Sequence, residues 1–229
     1  MFGDWRRFCD HVKEKLPLVE DSNFGHRGYV DPYAFFQALS EVTSRADIIV
    51  PGSGGTSYGV AMQAYNQRAG QIVLADKSAM AWPERRTIAI ESDASFLQNV
   101  QDLGTLAVNG LNVKLFIFST EGRASANTGL GVPNWIGLFD AYGIPASTLH
   151  VDSLRTQSFA HAFEEPGVHA FIVPIHPRQT FHPMHRSRVN SEGEIESEPL
   201  HVMHPEMSQA VASDVLRYLV AERADSLAS

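Results

Sequence analysis

From Val30 onward the chain alternates short, almost wholly apolar runs with longer stretches whose apolar residues recur at helical spacing. Residues 46–51, 71–75, 87–91, 113–119, 147–151 and 168–174 have the length and apolar content of buried strands. Between them, Asp31-Pro32 opens a helix, with Asp31 as N-cap, Pro32 at the first helical position and Phe35, Phe36, Leu39 and Val42 on its buried face. A second helix follows Gly52–Thr56 and runs to about Gln67. Phe96, Val100, Leu103 and Ala107 share one helical face, and further helices are expected over 134–142 and 153–164. Strands that are apolar on both faces and separated by helices predict a doubly wound, mostly parallel α/β sheet with helices on both sides. Ligands of such sheets bind beyond the carboxyl ends of the strands. That rule selects the loops 52–56, 92–95 and 119–124.

The ends of the chain follow other patterns. Trp5, Phe8, Cys9, Val12 and Leu16 mark an amphipathic helix that stops at Pro17, and a linker rich in Asp, Asn and Gly follows. We expect residues 1–29 to be a helix and linker from a preceding domain, and residues 30–229 to be one domain with a C-terminal extension. The stretch 181–204 is polar and irregular, as expected of a surface wrap. Pro205 is expected to start a last helix that buries Met207, Val211, Val215 and Leu219. One connection conflicts with a parallel sheet. Asp76 to Arg86 is only about 11 residues, short for a crossover with its helix. Either these two strands are antiparallel or a crossover helix is missing.

Composition narrows the function classes. A net charge of -8 argues against a general binder of nucleic acid or anionic membrane. The single cysteine, Cys9, excludes an internal disulfide and suits a reducing compartment. No apolar run reaches membrane-spanning length and no signal-peptide core is present, so a cytoplasmic protein is expected.

Asp93 directly follows an apolar strand and precedes a helix beginning Ala94, Ser95, Phe96. A carboxylate at a strand's carboxyl end can hold a hard cation beside an anion on the helix amides, and Thr120, at the end of the next strand, can approach the same place. A plain N-cap is the alternative. The line from Thr87 to Thr105 resembles the signature of thiamine diphosphate enzymes, Gly-Asp-Gly-Ser-Phe and then Asn-x-Gln-Glu-Leu-x-Thr, closing on Asn-Asn. It matches at Asp93, Ser95, Phe96, Asn99, Gln101, Leu103 and Thr105, and the second Asn falls on Thr120, 27 positions after Asp93. Segments beginning at Asp31, Ala46, Gly129 and Phe139 are similar to the C-terminal, diphosphate-binding domain of acetolactate-synthase-like members.

The resemblance implies a thiamine diphosphate-binding fold with magnesium held by Asp93, Thr120 and the carbonyl of Gly122. It places Gly52, Ser53, Gly54, Gly55, Thr56, Ala94 and Ser95 at or near the diphosphate. It further implies decarboxylation or carboligation of a 2-oxo acid. The glutamate that activates the cofactor's pyrimidine comes from another domain, so a pyrimidine-binding domain or subunit is required, in a homo-oligomer or a split hetero-oligomer. No catalytic side chain is assigned here.

The departures fall on the site. Ser92-Asp93-Ala94 replaces Gly-Asp-Gly and Ser119-Thr120 replaces Asn-Asn. The family's Gly-rich segment and helix before the strand of Asp93 are reduced to residues 76–83, and the connection after Ala124 is contracted as well. Two explanations stay open: the sequence omits cofactor-covering segments, or the protein is a degenerate, non-catalytic paralogue serving binding or assembly. Other features carry less. His176, His182, His185, His201 and His204 offer zinc spacing, but arginines at 178, 186 and 188 disfavour a cation. The glycines of 52–55 lack the lysine of a nucleotide phosphate loop.

Overall fold

Val113–Ser119 is the strand around which the larger part of the molecule is arranged: all seven of its residues are buried, and parallel partners lie on both sides. The computed structural model describes residues 2–16, 18–24, 26–52, 54–73, 78–120, 131–199 and 202–215. They form two compact units, Phe24–Thr180 and, separately, Met1–Asn23 with Phe181–Ser229. In chain order the elements are α1 (Phe2–Lys15), α2 (Pro32–Val42), β1 (Ile48–Pro51), α3 (Val60–Ala64) and β2 (Ile72–Val73). Next come α4 (Ser78–Ala81), β3 (Thr87–Ser92), α5 (Asp93–Leu97), α6 (Asp102–Asn109) and β4 (Val113–Ser119). They are followed by α7 (Trp135–Ala141), β5 (Ala146–Thr148), α8 (Gln157–Glu164) and β6 (His169–Pro174). The chain continues with β7 (Met184–His185), β8 (Ser187–Val189), β9 (Ile195–Ser197), β10 (Met203–His204) and α9 (Gln209–Val215).

The larger unit is a six-stranded sheet in the order β2-β1-β3-β4-β6-β5, with every pair parallel. It is a doubly wound α/β fold. Side chains of β4 alternate between two aromatic cores. Leu115 and Ile117 pack with Phe96, Leu103, Trp135 and Phe139 from α5, α6 and α7. Phe116 and Phe118 meet Phe35 of α2 at ring distances of 5.2 and 5.1 Å, and Phe116 also meets Phe159 and Phe163 of α8. Helices therefore cover both faces. Their starts follow local rules: Asp31, Asn134 and Thr156 accept from the amides of Ala34, Gly137 and Phe159.

Four expectations are corrected. Strands β2 and β3 are not antiparallel; both run parallel to β1, on opposite sides of it. α4 lies in the connection between them. The helix expected through Phe96 and Ala107 is broken into α5 and α6, because the amides of Gln98 and Asn99 tighten onto the carbonyls of Ser95 and Phe96. The irregular stretch 181–204 contains two antiparallel strand pairs, β7 with β10 and β8 with β9. The last helix starts after Ser208, whose hydroxyl accepts from the amide of Val211, rather than at Pro205; Leu219 lies outside the described residues.

The smaller unit ties its two chain segments together side by side. Buried Asn23 exchanges two hydrogen bonds with the backbone of His182, at 2.7 and 2.8 Å, and His11 of α1 meets Asp214 of α9 at 2.7 Å.

The amino end of the larger sheet carries buried charge for a structural reason. The last carbonyls of a helix lack intrahelical partners. Arg86 donates to the carbonyl of Phe163, and Lys114 donates to those of Glu165 and Gly167 at 2.6 and 2.9 Å. Asp47, 4% exposed, balances Arg86 through two hydrogen bonds of 2.9 and 3.0 Å. Burial, with Arg86 nearby, pushes the Lys114 ammonium down from 10.5 to about 8. Two carbonyl acceptors match the two N–H groups of a neutral amine, so the uncharged form keeps both bonds. Between these pH values the unfolded chain holds a proton that the folded chain has released, so stability rises with pH across that window and falls again as pH drops towards 8. In urea denaturation the protein should therefore gain stability relative to Lys114→Met as pH is raised from about 8 towards 10.5. A pH-independent difference would remove this account of Lys114.

Candidate functional site

In a parallel sheet the binding crevice opens where consecutive connections leave in opposite directions. Here the chain leaves β1 for β2 on one side and returns to β3 on the other, so the crevice lies beyond the carboxyl ends of β1 and β3. The residues selected from sequence sit at that end. Gly52, Gly54, Gly55 and Thr56 follow β1, and Asp93, Ala94 and Ser95 open α5 directly after β3. Thr120 follows β4. Ser53 and Gly122 lie outside the described residues.

The structure brings Asp93 and Thr120 together. Asp93 Oδ2 accepts from the Thr120 amide at 3.0 Å and from its hydroxyl at 3.1 Å, while Oδ1 accepts from the Ala94 amide at 2.8 Å. Ser92, not Asp93, holds the N-cap position, and the Asp93 carboxylate bridges the first turn of α5 and the end of β4, one oxygen to each. Both residues are buried. The pair presents two oxygens 3.1 Å apart. An octahedral magnesium shell with bonds of about 2.0–2.1 Å separates adjacent ligand oxygens by about 2.9 Å. The 3.1 Å separation is that of the hydrogen bond the Thr120 hydroxyl donates, and it is also compatible with two adjacent ligands of a hard cation. Ser119 Oγ accepts from Trp135 Nε1 at 3.3 Å.

The glycine loop is built differently from a phosphate cradle. A Cβ on Gly52 would lie 2.0 Å from Glu91 Oε2, and one on Gly54 would lie 2.7 Å from Ser92 Oγ. The space beside these glycines is filled by the end of β3. Ser95 Oγ donates to Glu91 Oε2 at 2.9 Å, so that hydroxyl also faces Glu91. Gly55 alone of the loop's described glycines has open space around it. Ser57 closes the turn by donating to the carbonyls of Gly52 and Gly54, each at 3.1 Å. Glu91 at the end of β3 and Asp93 at the start of α5 are the carboxylates described here; Glu121 and Arg123 of the third loop lie outside the described residues. Glu91 was missed in the sequence. The available signal was an acidic residue one position before the motif, at the end of an otherwise apolar strand.

His176 stacks on His26 with centroids 3.8 Å apart, and His182 meets His204 edge to face at 5.6 Å. Among the described residues no group of three or more His, Cys, Asp or Glu is placed to hold a metal ion. No described helix is long and apolar enough to cross a membrane.

Comparison with solved structures bears on the fold. A benzoylformate decarboxylase from Polynucleobacter necessarius superposes with a TM-score of 0.58 at 16% identity, over 72% of this chain and 36% of that one. A putative thiamin diphosphate-dependent enzyme from Mycobacterium smegmatis gives 0.56 at 18% identity, over 71% and 35%. In sequence, the chain is 26% identical over 213 residues to acetolactate synthase 3, chloroplastic, of Brassica napus, which covers 78% of this chain and 32% of the relative. It is 30% identical over 120 residues to the acetolactate synthase large subunit of Parasynechococcus marenigrum, covering 46% and 19%. The chain resembles the C-terminal domain of acetolactate-synthase-like thiamine diphosphate enzymes. It spans a third or less of the length of these two relatives. No family model matches it.

Proposed function

We propose that this chain supplies the diphosphate- and magnesium-holding domain of a thiamine diphosphate enzyme of the acetolactate synthase group, acting on a 2-oxo acid. The observation that carries the reading is the Asp93–Thr120 oxygen pair at the switch-point crevice, with the spacing of a hard-cation shell. Asp93 and Thr120 would hold the magnesium ion, with the Gly122 carbonyl as a third protein ligand. Ala94, Ser95 and the open Gly55 would lie along the diphosphate. When bound, the cofactor supplies an electron sink for the carbanion left by decarboxylation. The chain's own task is to fix the cation and the charged end of the cofactor. A pyrimidine-binding domain, from another subunit or another part of a larger protein, completes the site. In this reading residues 30–229 form the cofactor domain and residues 1–29 lead into it.

A second reading is favoured by one specific observation. Glu91 and Ser92 fill the space beside Gly52 and Gly54, and Asp93 is already met by three donors. A domain whose site is satisfied internally would serve assembly rather than catalysis. Isothermal titration separates the two. The enzyme reading expects saturable binding of thiamine diphosphate that depends on magnesium. Absence of binding by the folded chain, with a pyrimidine-binding domain also supplied, would leave only the assembly role.

A further inference from the structure

A cavity opens at the other end of the sheet. Leu106 and Ala107 of α6, Ile144 and Val168 line about 390 Å³ of space together with Lys114 and His169. That is within the size range of small-molecule sites, which are mostly apolar with a few placed polar groups. Lys114 lies at the start of β4 and Thr120 follows its end, so about 20 Å of extended strand separate this cavity from the candidate crevice. Lys114 and His169 are partners in register on adjacent strands, so their side chains leave the sheet on the same side. An ammonium has three N–H groups. Two of those on Lys114 go to the carbonyls of Glu165 and Gly167, and the third meets no acceptor among the described residues. Lys114 is 1% exposed, and a buried cation without a counter-ion is costly. The charged groups around it are engaged elsewhere. Arg86 is paired with Asp47 and Glu164. The Glu165 side chain, which also lines the cavity, is 65% exposed and stands 3.8 Å from His161. His169 is pushed down by burial and by Lys114 beside it, so it adds no charge at neutral pH; its Nε2 meets Ser147 Oγ at 3.1 Å. The cavity thus combines apolar walls with one cation that has a donor to spare. Glu165 repels a second negative charge on whatever enters.

We propose that this cavity binds a small apolar monocarboxylate, whose carboxylate accepts the third N–H of Lys114 while its hydrocarbon part lies against Leu106, Ile144 and Val168. Hexanoate is the probe, titrated calorimetrically into the whole chain at about pH 7. A Kd of about 1 mM or below is expected for a ligand of this size. Hexanamide, which lacks the charge, and adipate, which carries a second one, should each bind about tenfold or more weakly than hexanoate. Hexanoate binding should also weaken about tenfold or more between about pH 7 and about pH 9.5. Across that range Lys114, pushed down to about 8, loses the proton that the carboxylate needs and presents a lone pair instead. Lys114→Met should abolish binding. Ala107→Phe, at an exposed position of α6, should do the same by filling the cavity with Lys114 left in place. Circular dichroism establishes that each variant is folded, and the phenylalanine variant decides the matter if the methionine variant is not. Failure of the parent chain to bind hexanoate would overturn the proposal. So would equal affinity for hexanamide, or the parent's affinity retained in either folded variant.

Discussion

Phe116→Ala should lower the unfolding free energy of the larger unit by about 3–5 kcal/mol. The residue is fully buried in the middle of β4. It stacks on Phe171 of the neighbouring strand at 4.9 Å and meets Phe35 edge-on at 5.2 Å. Phe159 and Phe163 of α8 stand 6.4 Å away. Deleting the ring leaves a hole whose walls are other rings, on a rigid sheet and two helices. Such walls relax little, so the cavity cost adds to the lost transfer free energy. Phe116→Leu fills most of the same space and should cost less than about 1.5 kcal/mol. Urea denaturation followed by Trp135 fluorescence is a suitable measurement, since Trp135 is buried in the same unit. An alanine variant no less stable than the leucine variant would show that the aromatic cluster does not hold this face.

The same residues show how much was legible in sequence. Val113–Ser119 and Thr87–Glu91 read as strands because nearly every side chain is apolar, and both are buried strands of a parallel sheet. Asp31 with Pro32 announced a capped helix and forms one. These signals are local: a few residues decide them. The apposition of Asp93 and Thr120 was legible too, because adjacent parallel strands bring their carboxyl ends together whatever the connection between them.

What failed to show in the sequence depends on partners distant along the chain. Lys114 sits in an apolar run, and its burial makes sense only once the turn that follows α8 is known to deliver two carbonyls to it. The resemblance placed Gly52 at or near the diphosphate, whereas in the fold the space beside it is taken by Glu91. A glycine reports that something approaches closely and does not report what.

Asp93 decides whether that crevice is a cofactor site, and two substitutions separate its structural duty from its chemical one. Asp93→Ala takes away the acceptor for the Thr120 amide and hydroxyl, both in buried surroundings. Leaving buried donors without a partner costs about 1–3 kcal/mol, so this variant should lose stability even without any ligand. Asp93→Asn retains a carbonyl oxygen for one of those donors and should recover part of that loss. It removes the charge, however, and a magnesium site of one carboxylate and neutral oxygens depends on that charge. Magnesium-dependent binding of thiamine diphosphate should therefore weaken on the order of 100-fold or more in both variants. The thermal midpoint offers an independent reading: magnesium with thiamine diphosphate should raise it in the parent chain, because a ligand that binds only the folded state stabilises it. In Asp93→Asn the same addition should leave it nearly unchanged. If Asp93→Asn keeps the parent's magnesium dependence, Asp93 is not the metal ligand, and its carboxylate serves only to fasten α5 to the end of β4.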